Sequence, residues 1–307
     1  MKKKVFITGV NGIVGEGLAR VFLKNNFEVL GSYKTKNNLK KIKDIKYLKI
    51  DLNNDKYLKK IRNNLKGVDY FIHNAALIPS KFDDRRNTIE QIYKINTYST
   101  KKLIDLCISY KIKKFLFIST VAVFENLLQK KNVKKSKFKM IDDYIMSKFL
   151  SEEICKTYMC QKKIKISILR VKAPYGYNLN SNAVIQKFIK NTISGKNLVL
   201  FNKGQRSQVF TFVNDIGEAC LKIFKKKYHI ITNLSGPKII SMKSLAENII
   251  GIFSRNKDQK IIYKNKKEKL NKFLFLKNKE FKEIKIQKTN LKKSLLIIKE
   301  CLENENS

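Results

Sequence analysis

This chain is short of acidic residues, nearly without histidine, and has no long apolar run. Each shortage excludes something. No apolar stretch in the 307 residues approaches the roughly 18 needed for a membrane-spanning helix. Lys2 to Lys4 open the chain, but glycines and a polar Asn11 follow them. A signal peptide wants an uninterrupted apolar segment and a small-residue cleavage site, so the expected location is cytoplasmic. His73 and His229 stand far apart and are the two histidines present, too few for a His-based zinc site or a Ser-His-Asp triad. No metal is expected. The five cysteines (Cys107, Cys155, Cys160, Cys220, Cys301) form no C-x-x-C pair, and the odd count points to reduced, mostly buried thiols.

Acid is scarce enough to matter. Asp and Glu total 25 against 66 Lys and Arg, a formal charge of +41. Such a charge suggests nucleic acid or an anionic membrane surface. The lysines, however, are spread through every segment, and no recognisable nucleic-acid module accompanies them. We read the charge as a compositional excess of Lys, Asn and Ile, with no specific nucleic-acid partner. It would still draw in phosphorylated substrates.

Apolar residues make up 43% and charged residues 30%, the balance of a globular chain with a sizeable core. In the first half, KKVFIT, FEVLGSY, IKYLKI, VDYFIH, KKFLFIST and IKISILR are strand-like runs rich in Val, Ile and Phe. Helix-length segments lie among them, at 12–25, 88–110 and 142–161. Strands alternating with helices predict an α/β chain with a doubly wound parallel sheet covered on both faces. After about Pro174 the alternation loosens, with helical patterns at 181–194, 214–225, 241–253 and 289–303. Lys dominates 255–288, where little can be read. The expectation is a doubly wound α/β domain over 1–173 and a smaller α/β lobe over 174–307, with strands free to interchange. A cleft between them would take the substrate.

Three constellations carry chemistry. TGVNGIVG follows the first strand and starts a helix, the context in which a glycine triplet gains meaning. Gly9 permits the tight turn, Gly12 lets backbone approach a pyrophosphate, and Gly15 lets the helix lie close to the strand. The helix start at Asn11, Gly12, Ile13 and Val14 offers free N–H groups and partial positive charge to phosphates. The second is Tyr144-Ile145-Met146-Ser147-Lys148, whose Tyr and Lys share a helix face. Bringing a tyrosine from about 10 to near 7 takes about 4 kcal/mol, roughly what one ammonium at about 4 Å supplies at an effective dielectric of about 20. Lys148 can therefore make Tyr144 a proton-transfer group. The third is Ser119-Thr120 at the carboxyl end of KKFLFIST, where ligands of open α/β sheets sit.

In this order the three resemble the extended short-chain dehydrogenase/reductase superfamily, specifically its NAD(P)-dependent nucleotide-sugar epimerase/dehydratase family, over nearly the whole length. TGVNGIVG resembles T-G-x-x-G-x-x-G, and Asp51-Leu52 the adenine-contacting Asp-Leu. VDYFIHNAA is similar to V-D-x-V-I-H-x-A-A, with Ala75 and Ala76 lining the cofactor. Asn96 sits like the family's asparagine before G-T-x-x-L-L. FLFISTVAVF resembles F-V-F-x-S-S-x-x-V-Y, placing Thr120 at the catalytic Ser/Thr and Ser119 beside it. ILRVKAPYG, FTFVNDIGEA and NLSGPKIISMKSLAE are similar to the family's later segments.

The resemblance implies a Rossmann fold, an NAD(P) cofactor and hydride transfer at a sugar carbon. Tyr144 would take the hydroxyl proton, Thr120 steady the oxygen, and Lys148 hold the cofactor ribose. The keto-sugar could then be re-reduced (epimerase), lose water (dehydratase) or be released. It also implies a homodimer through the helices around 88–110 and 142–161. The second strand ends at Ser32-Tyr33-Lys34, with no acid near Tyr33 to bind the adenine ribose. Lys34 and Lys36 could meet a 2′-phosphate instead, which favours NADP(H) over NAD(H).

Other departures touch the substrate side. Val123-Phe124-Glu125 replaces Val-Tyr-Gly, and Gln208-Val209-Phe210 replaces R-D-F. Arg206 is left as either the diphosphate-binding arginine or a surface cation. Ala173 stands where several epimerases carry an Asn, and Val121-Ala122 after Thr120 argues against a dehydratase. His73 and Asp215 read as structural, and Arg170 as one half of a buried pair. The alternative to an enzyme is a non-catalytic NAD(P)-binding sensor or subunit, a class that tends to lose the Tyr or the Lys.

Overall fold

The computed structural model describes residues 2–35, 42–78, 88–124, 142–181, 183–255, 258–265 and 284–305. Lys36 and Glu125, both weighed above, lie outside them.

The strands are β1 (Lys4–Thr8), β2 (Glu28–Tyr33), β3 (Ile45–Lys49), β4 (Tyr70–His73), β5 (Lys114–Thr120), β6 (Lys165–Val171), β7 (Pro174–Tyr175), β8 (Leu198–Phe201), β9 (Ser207–Val209), β10 (Thr211–Phe212), β11 (Ile230–Leu234), β12 (Ile239–Ser241) and β13 (Ile261–Lys264). The helices are α1 (Ile13–Lys24), α2 (Tyr57–Arg62), α3 (Ile89–Tyr93), α4 (Ser99–Ser109), α5 (Asp143–Gln161), α6 (Val184–Ile193), α7 (Val213–Lys225), α8 (Met242–Phe253) and α9 (Leu291–Asn304).

Among the described residues, seven strands form one sheet in the order β3-β2-β1-β4-β5-β6-β11. Every pairing in it is parallel. The chain winds outward from β1 to β3, returns to β4, and winds the other way. The reversal between β1 and β4 leaves a crevice beyond the strand ends, the usual ligand site of an open α/β sheet.

Successive side chains point to opposite faces of a strand, and the sheet builds two cores that way. Val5, Ile7, Ile72, Leu116, Ile118, Leu169 and Val171 face α1 and α7. Phe6, Phe71, Phe115, Phe117, Ile166 and Ile168 face α2, α4 and α5. Phe6, Phe71 and Phe115 stack across three neighbouring strands, with ring centroids 5.0 and 5.6 Å apart and planes within 6° of parallel.

On the first face α1 and α7 approach closely because each offers a glycine to the other's valine. A Cβ on Gly17 would stand 2.3 Å from the Val213 side chain, and one on Gly217 would stand 2.6 Å from that of Val21. Residues beyond 174 thus contribute both β11 and α7 to the main layer. The rest of that stretch builds the two-stranded ribbons β10-β7, β12-β9 and β13-β8 with α6, α8 and α9. Among the described residues no helix is long and apolar enough to cross a membrane.

The helical segment expected over 88–110 is interrupted. Between α3 and α4, Lys94–Tyr98 widens into a π turn, a local expansion that often marks a functional site. The opened Asn96 carbonyl accepts from the Thr100 and Ser151 hydroxyls at 2.7 and 2.9 Å.

Candidate active site

The β1–α1 turn is held by a chain of bonds rooted in the buried His73. The Thr8 hydroxyl accepts from the backbone N–H groups of Asn74 and Ala75, both at 3.0 Å. Its own proton then goes to Nδ1 of His73 at 2.9 Å. Nε2 donates to Ser99 Oγ at 3.4 Å, and Ser99 donates to the Ile95 carbonyl at 2.5 Å. Burial, with Lys148 nearby, pushes His73 down to about 3. The imidazole is therefore neutral and structural.

This zips β4 to the glycine turn. The Asn74 amide donates to the Gly9 carbonyl at 3.1 Å. Gly9 has φ +68°, and a Cβ there would stand 2.9 Å from Ala75 Cα. A Cβ on Gly15 would lie 2.1 Å from the Gly9 oxygen. Both positions require glycine for space, and Gly9 for conformation as well.

Gly12 caps α1 with no side-chain bond, so the first N–H groups of the helix have neither an intrahelical partner nor a capping side chain. They open onto a cavity of about 620 Å³ at the switch point. Of the residues singled out in the sequence, this cavity is lined by Gly9, Asn11, Gly12, Ile13, Val14, Tyr33, Lys34, Asp51, Leu52, Ala75, Ala76, Ser119, Thr120, Tyr144, Lys148 and Ala173.

Three candidates lie elsewhere. Gly15 packs beneath the turn. Asn96 is buried behind the wall, clasping Leu77 through its backbone N–H at 2.7 Å and carbonyl at 3.0 Å, and donating to Ser147 Oγ at 2.9 Å. Arg206 is exposed just before β9 and does not line the cavity; its carbonyl accepts from Met242 N–H at 2.8 Å.

The sequence reading missed Ser32, Asn74, Asn178, Asn180 and Ser181 among the polar residues of the lining. Asn178 to Ser181 follow the Tyr175-Gly176 segment already recognised, so position along the chain was the available signal. The structural readings of two other residues are met by partners: Asp215 accepts from Thr289 N–H at 3.0 Å and from its hydroxyl at 2.6 Å, while Arg170 pairs with Glu152.

Asp142 caps α5 by accepting from Tyr144 N–H at 2.8 Å, which starts the helix where Tyr144 and Lys148 face the strand ends. The Lys148 ammonium donates to the Ile118 carbonyl at 2.7 Å and lies 4.0 Å from the Phe117 ring centroid. Burial lowers it to about 7, against the opposing pull of Glu152 and Cys155. Tyr144 moves the other way from the sequence-based expectation. Burial, then the Asp142 charge, pushes it up to about 12. The reason is that the ammonium is directed at a strand carbonyl, leaving desolvation as the larger influence on the phenol. The Thr120 hydroxyl accepts from Ala122 N–H at 3.2 Å. Beyond β2, the Lys34 ammonium stands 3.6 Å from Asp51.

A glycine turn and an uncapped helix opening onto the switch point of a parallel sheet define a dinucleotide-binding α/β protein. The model of the NAD dependent epimerase/dehydratase family matches residues 5–234. The chain belongs to that family, and is an enzyme of the extended short-chain dehydrogenase/reductase superfamily. It is 27% identical over 266 residues, 81% of this chain and 82% of the other, to an uncharacterized UDP-glucose epimerase, YtcB, of Bacillus subtilis. It is 24% identical over 272 residues to human dTDP-D-glucose 4,6-dehydratase, covering 84% and 76% of the two chains. In fold it resembles the UDP-N-acetylglucosamine 4-epimerase of Methanobrevibacter ruminantium, at a TM-score of 0.78 and 24% identity over 99% of this chain and 100% of that one.

Proposed function

We propose that the protein transfers hydride between an NAD(P) cofactor and a carbon of a nucleotide-linked sugar, as an epimerase or a keto-sugar reductase. The observation that carries the reading is that Thr120, Tyr144 and Lys148 line the same cavity as the Gly9–Gly12 turn. The residues present fit a dinucleotide: the N–H groups at the start of α1 would hold the pyrophosphate, and Ala75, Ala76 and Lys148 the nicotinamide half. The cofactor, when bound, supplies a hydride acceptor and donor. Tyr144 exchanges the proton of the reacting hydroxyl, Thr120 steadies its oxygen, and Lys148 offers its remaining ammonium protons to the cofactor ribose. Asn178, Asn180 and Ser181 provide polar groups for the nucleotide-sugar. The non-catalytic alternative is disfavoured because both Tyr144 and Lys148 reach the cavity.

NADP(H) is the preferred cofactor in this reading. Ser32 and Tyr33 end β2 without a carboxylate, and Lys34 stands at the cavity beside them, suited to a 2′-phosphate. A homodimer built on α3, α4 and α5 belongs to the same proposal, supported by exposed Ile89, Tyr98 and Leu150 on that segment; sedimentation of the purified protein tests it.

The deciding experiment is a fluorescence titration with NADPH and NADH on the wild type, Tyr144→Phe and Lys148→Ala. Tight NADPH binding weakened mainly by the lysine change supports the proposal and directs a screen of nucleotide-linked keto-sugars. Strong NADH preference overturns the cofactor choice and favours the epimerase. Binding of neither below millimolar overturns the enzyme mechanism.

A further inference from the structure

The pair formed by Arg170 and Glu152 lies one helical turn beyond Lys148 and touches Ser119, yet the proposed reaction gives it no task. Glu152 is fully buried and Arg170 is 4% exposed. Arg170 Nε donates to both carboxylate oxygens at 2.9 and 3.0 Å, and Nη2 donates to Oε2 at 2.5 Å. The Ser119 hydroxyl donates to Oε1 at 2.6 Å. A buried ion pair is a poor source of stability, because desolvating both charges costs about as much as their attraction returns. Apolar side chains of similar volume would join β6 to α5 as well. What the pair adds must therefore be sought in the groups around it.

Two of those groups face the cavity. A serine hydroxyl has one proton, and that of Ser119 is committed to Glu152. Ser119 consequently presents only lone pairs to a ligand. Lys148 is the second. Its ammonium touches a carbonyl and an aromatic ring, and neither carries a full charge to balance it. Tyr144, Glu152 and Cys155 share its helix, headed by Asp142 and Asp143. From β4 it faces the neutral His73, while Arg170 on β6 is already matched by Glu152. The carboxylate whose charge reaches the ammonium is that of Glu152, one helical turn away and shared with Arg170.

We propose that Glu152, clamped by Arg170, is a positioning residue for the reaction: it fixes Ser119 as a hydrogen-bond acceptor toward the ligand and favours the ammonium form of Lys148 at the carboxyl end of β5. The proposal rests on the hydride-transfer reading of the cavity. Its ligand chemistry follows directly. Ser119 accepts from an N–H or O–H, such as a carboxamide of the cofactor or a sugar hydroxyl, and does not donate to a carbonyl.

Two variants test it: Glu152→Gln, which keeps shape and removes charge, and the double change Glu152→Leu with Arg170→Met, which replaces the pair by apolar side chains. Lys148 is titrated by NMR of protein labelled with ¹³C at lysine Cε, its signal identified by comparison with Lys148→Met. NADPH and NADH binding are followed by fluorescence from pH 6 to 9. The expected result is a Lys148 midpoint about one unit or more below that of the wild type in Glu152→Gln, with binding of the preferred nucleotide about tenfold weaker at pH 7.5 and restored toward pH 6, and a smaller fall in the double variant, which removes the Arg170 cation together with the carboxylate. An unmoved midpoint, with binding within twofold of the wild type throughout, overturns the proposal and leaves the pair a tie between β6 and α5. If the double variant does not fold, Glu152→Gln decides by the same criteria. If the wild type binds neither nucleotide, the proposed function falls, and the lysine titration alone decides whether Glu152 governs Lys148.

Discussion

The side-chain amide of Asn178 donates to the backbone carbonyl of Asn11 at 2.8 Å, joining the loop after β7 to the glycine turn after β1. The two walls of the cavity are thereby held in register by one bond between residues 167 positions apart. Asn178→Ala should weaken nucleotide binding by about five- to tenfold, the worth of roughly one hydrogen bond. The melting temperature should move little, because the bond lies at the edge of the core. Nucleotide titration beside a thermal melt checks both; an unchanged affinity would show that the walls hold without it.

Glycine at 15 is a steric demand. The Cβ of Gly15→Ala would meet the Gly9 carbonyl at 2.1 Å, so α1 must shift away from β1. The expected cost is about 2 kcal/mol, in the range of overpacking a tight core, together with loss of nucleotide binding. Urea unfolding with and without NADPH measures the two effects. Gly251→Ala, inside α8 where nothing lies within 4 Å of the added carbon, is the control: it should leave nucleotide binding unchanged and raise stability by about 0.5–1 kcal/mol.

Burial of the Lys148 ammonium costs stability. Its pKa in the folded protein, about 7, is below the unfolded value near 10.5, so the unfolded chain binds more protons between those limits. Stability attributable to this residue therefore rises with pH across that window, and the burial penalty is full below pH 7. Lys148→Met should be more stable than the wild type by a few kcal/mol at pH 7, an advantage that shrinks toward pH 10. Denaturant midpoints at four pH values suffice. A constant difference would mean that the lysine stays charged throughout.

His73 gives the opposite end of the pH scale. Held near 3 in the fold against an ordinary 6.5, it stays neutral while the unfolded chain takes up a proton. Stability should fall as pH drops from 6.5, by up to about 1.4 kcal/mol per unit from this residue. His73→Gln should flatten that slope while lowering stability at pH 7, since Thr8 and Ser99 lose matched partners.

Tyr144→Phe should lower turnover by about 10² to 10⁴, the scale of general acid–base catalysis, with nucleotide affinity within threefold. Stopped-flow measurement of hydride transfer with a reactive sugar checks it. A kinetically normal variant would remove Tyr144 from the proposed mechanism.

The sheet was legible because parallel strands buried on both faces read as continuous apolar runs; KKFLFIST gave β5 nearly to the residue. The glycine-turn side of the cavity was legible because glycine spacing is a backbone requirement that leaves a local mark. The π turn around Asn96 left none. A widened turn differs from an α-helix by one hydrogen-bond step, and its partners Leu77, Ser147 and Ser151 come from elsewhere in the chain. The direction of the Tyr144 shift was missed for a similar reason. Four-residue spacing puts Lys148 on the same helix face, but which way an ammonium points depends on carbonyls of another strand. Glu152 was invisible because its meaning comes from Arg170 and Ser119, which the fold alone brings to it.

The glycine-to-valine fit of α1 against α7 has a consequence for how the protein is made. About 190 residues separate the end of α1 from the start of α7, and at about 5–20 residues per second their synthesis takes roughly 10–40 s. Throughout that interval Phe22, Val21 and Leu18 have no final cover, although β1 and β2 can already pair. The nascent chain must carry an exposed apolar stripe longer than a simple two-domain order of folding would require. Its first helix, whose start opens onto the cavity, is thus among the last parts of the molecule to be sealed.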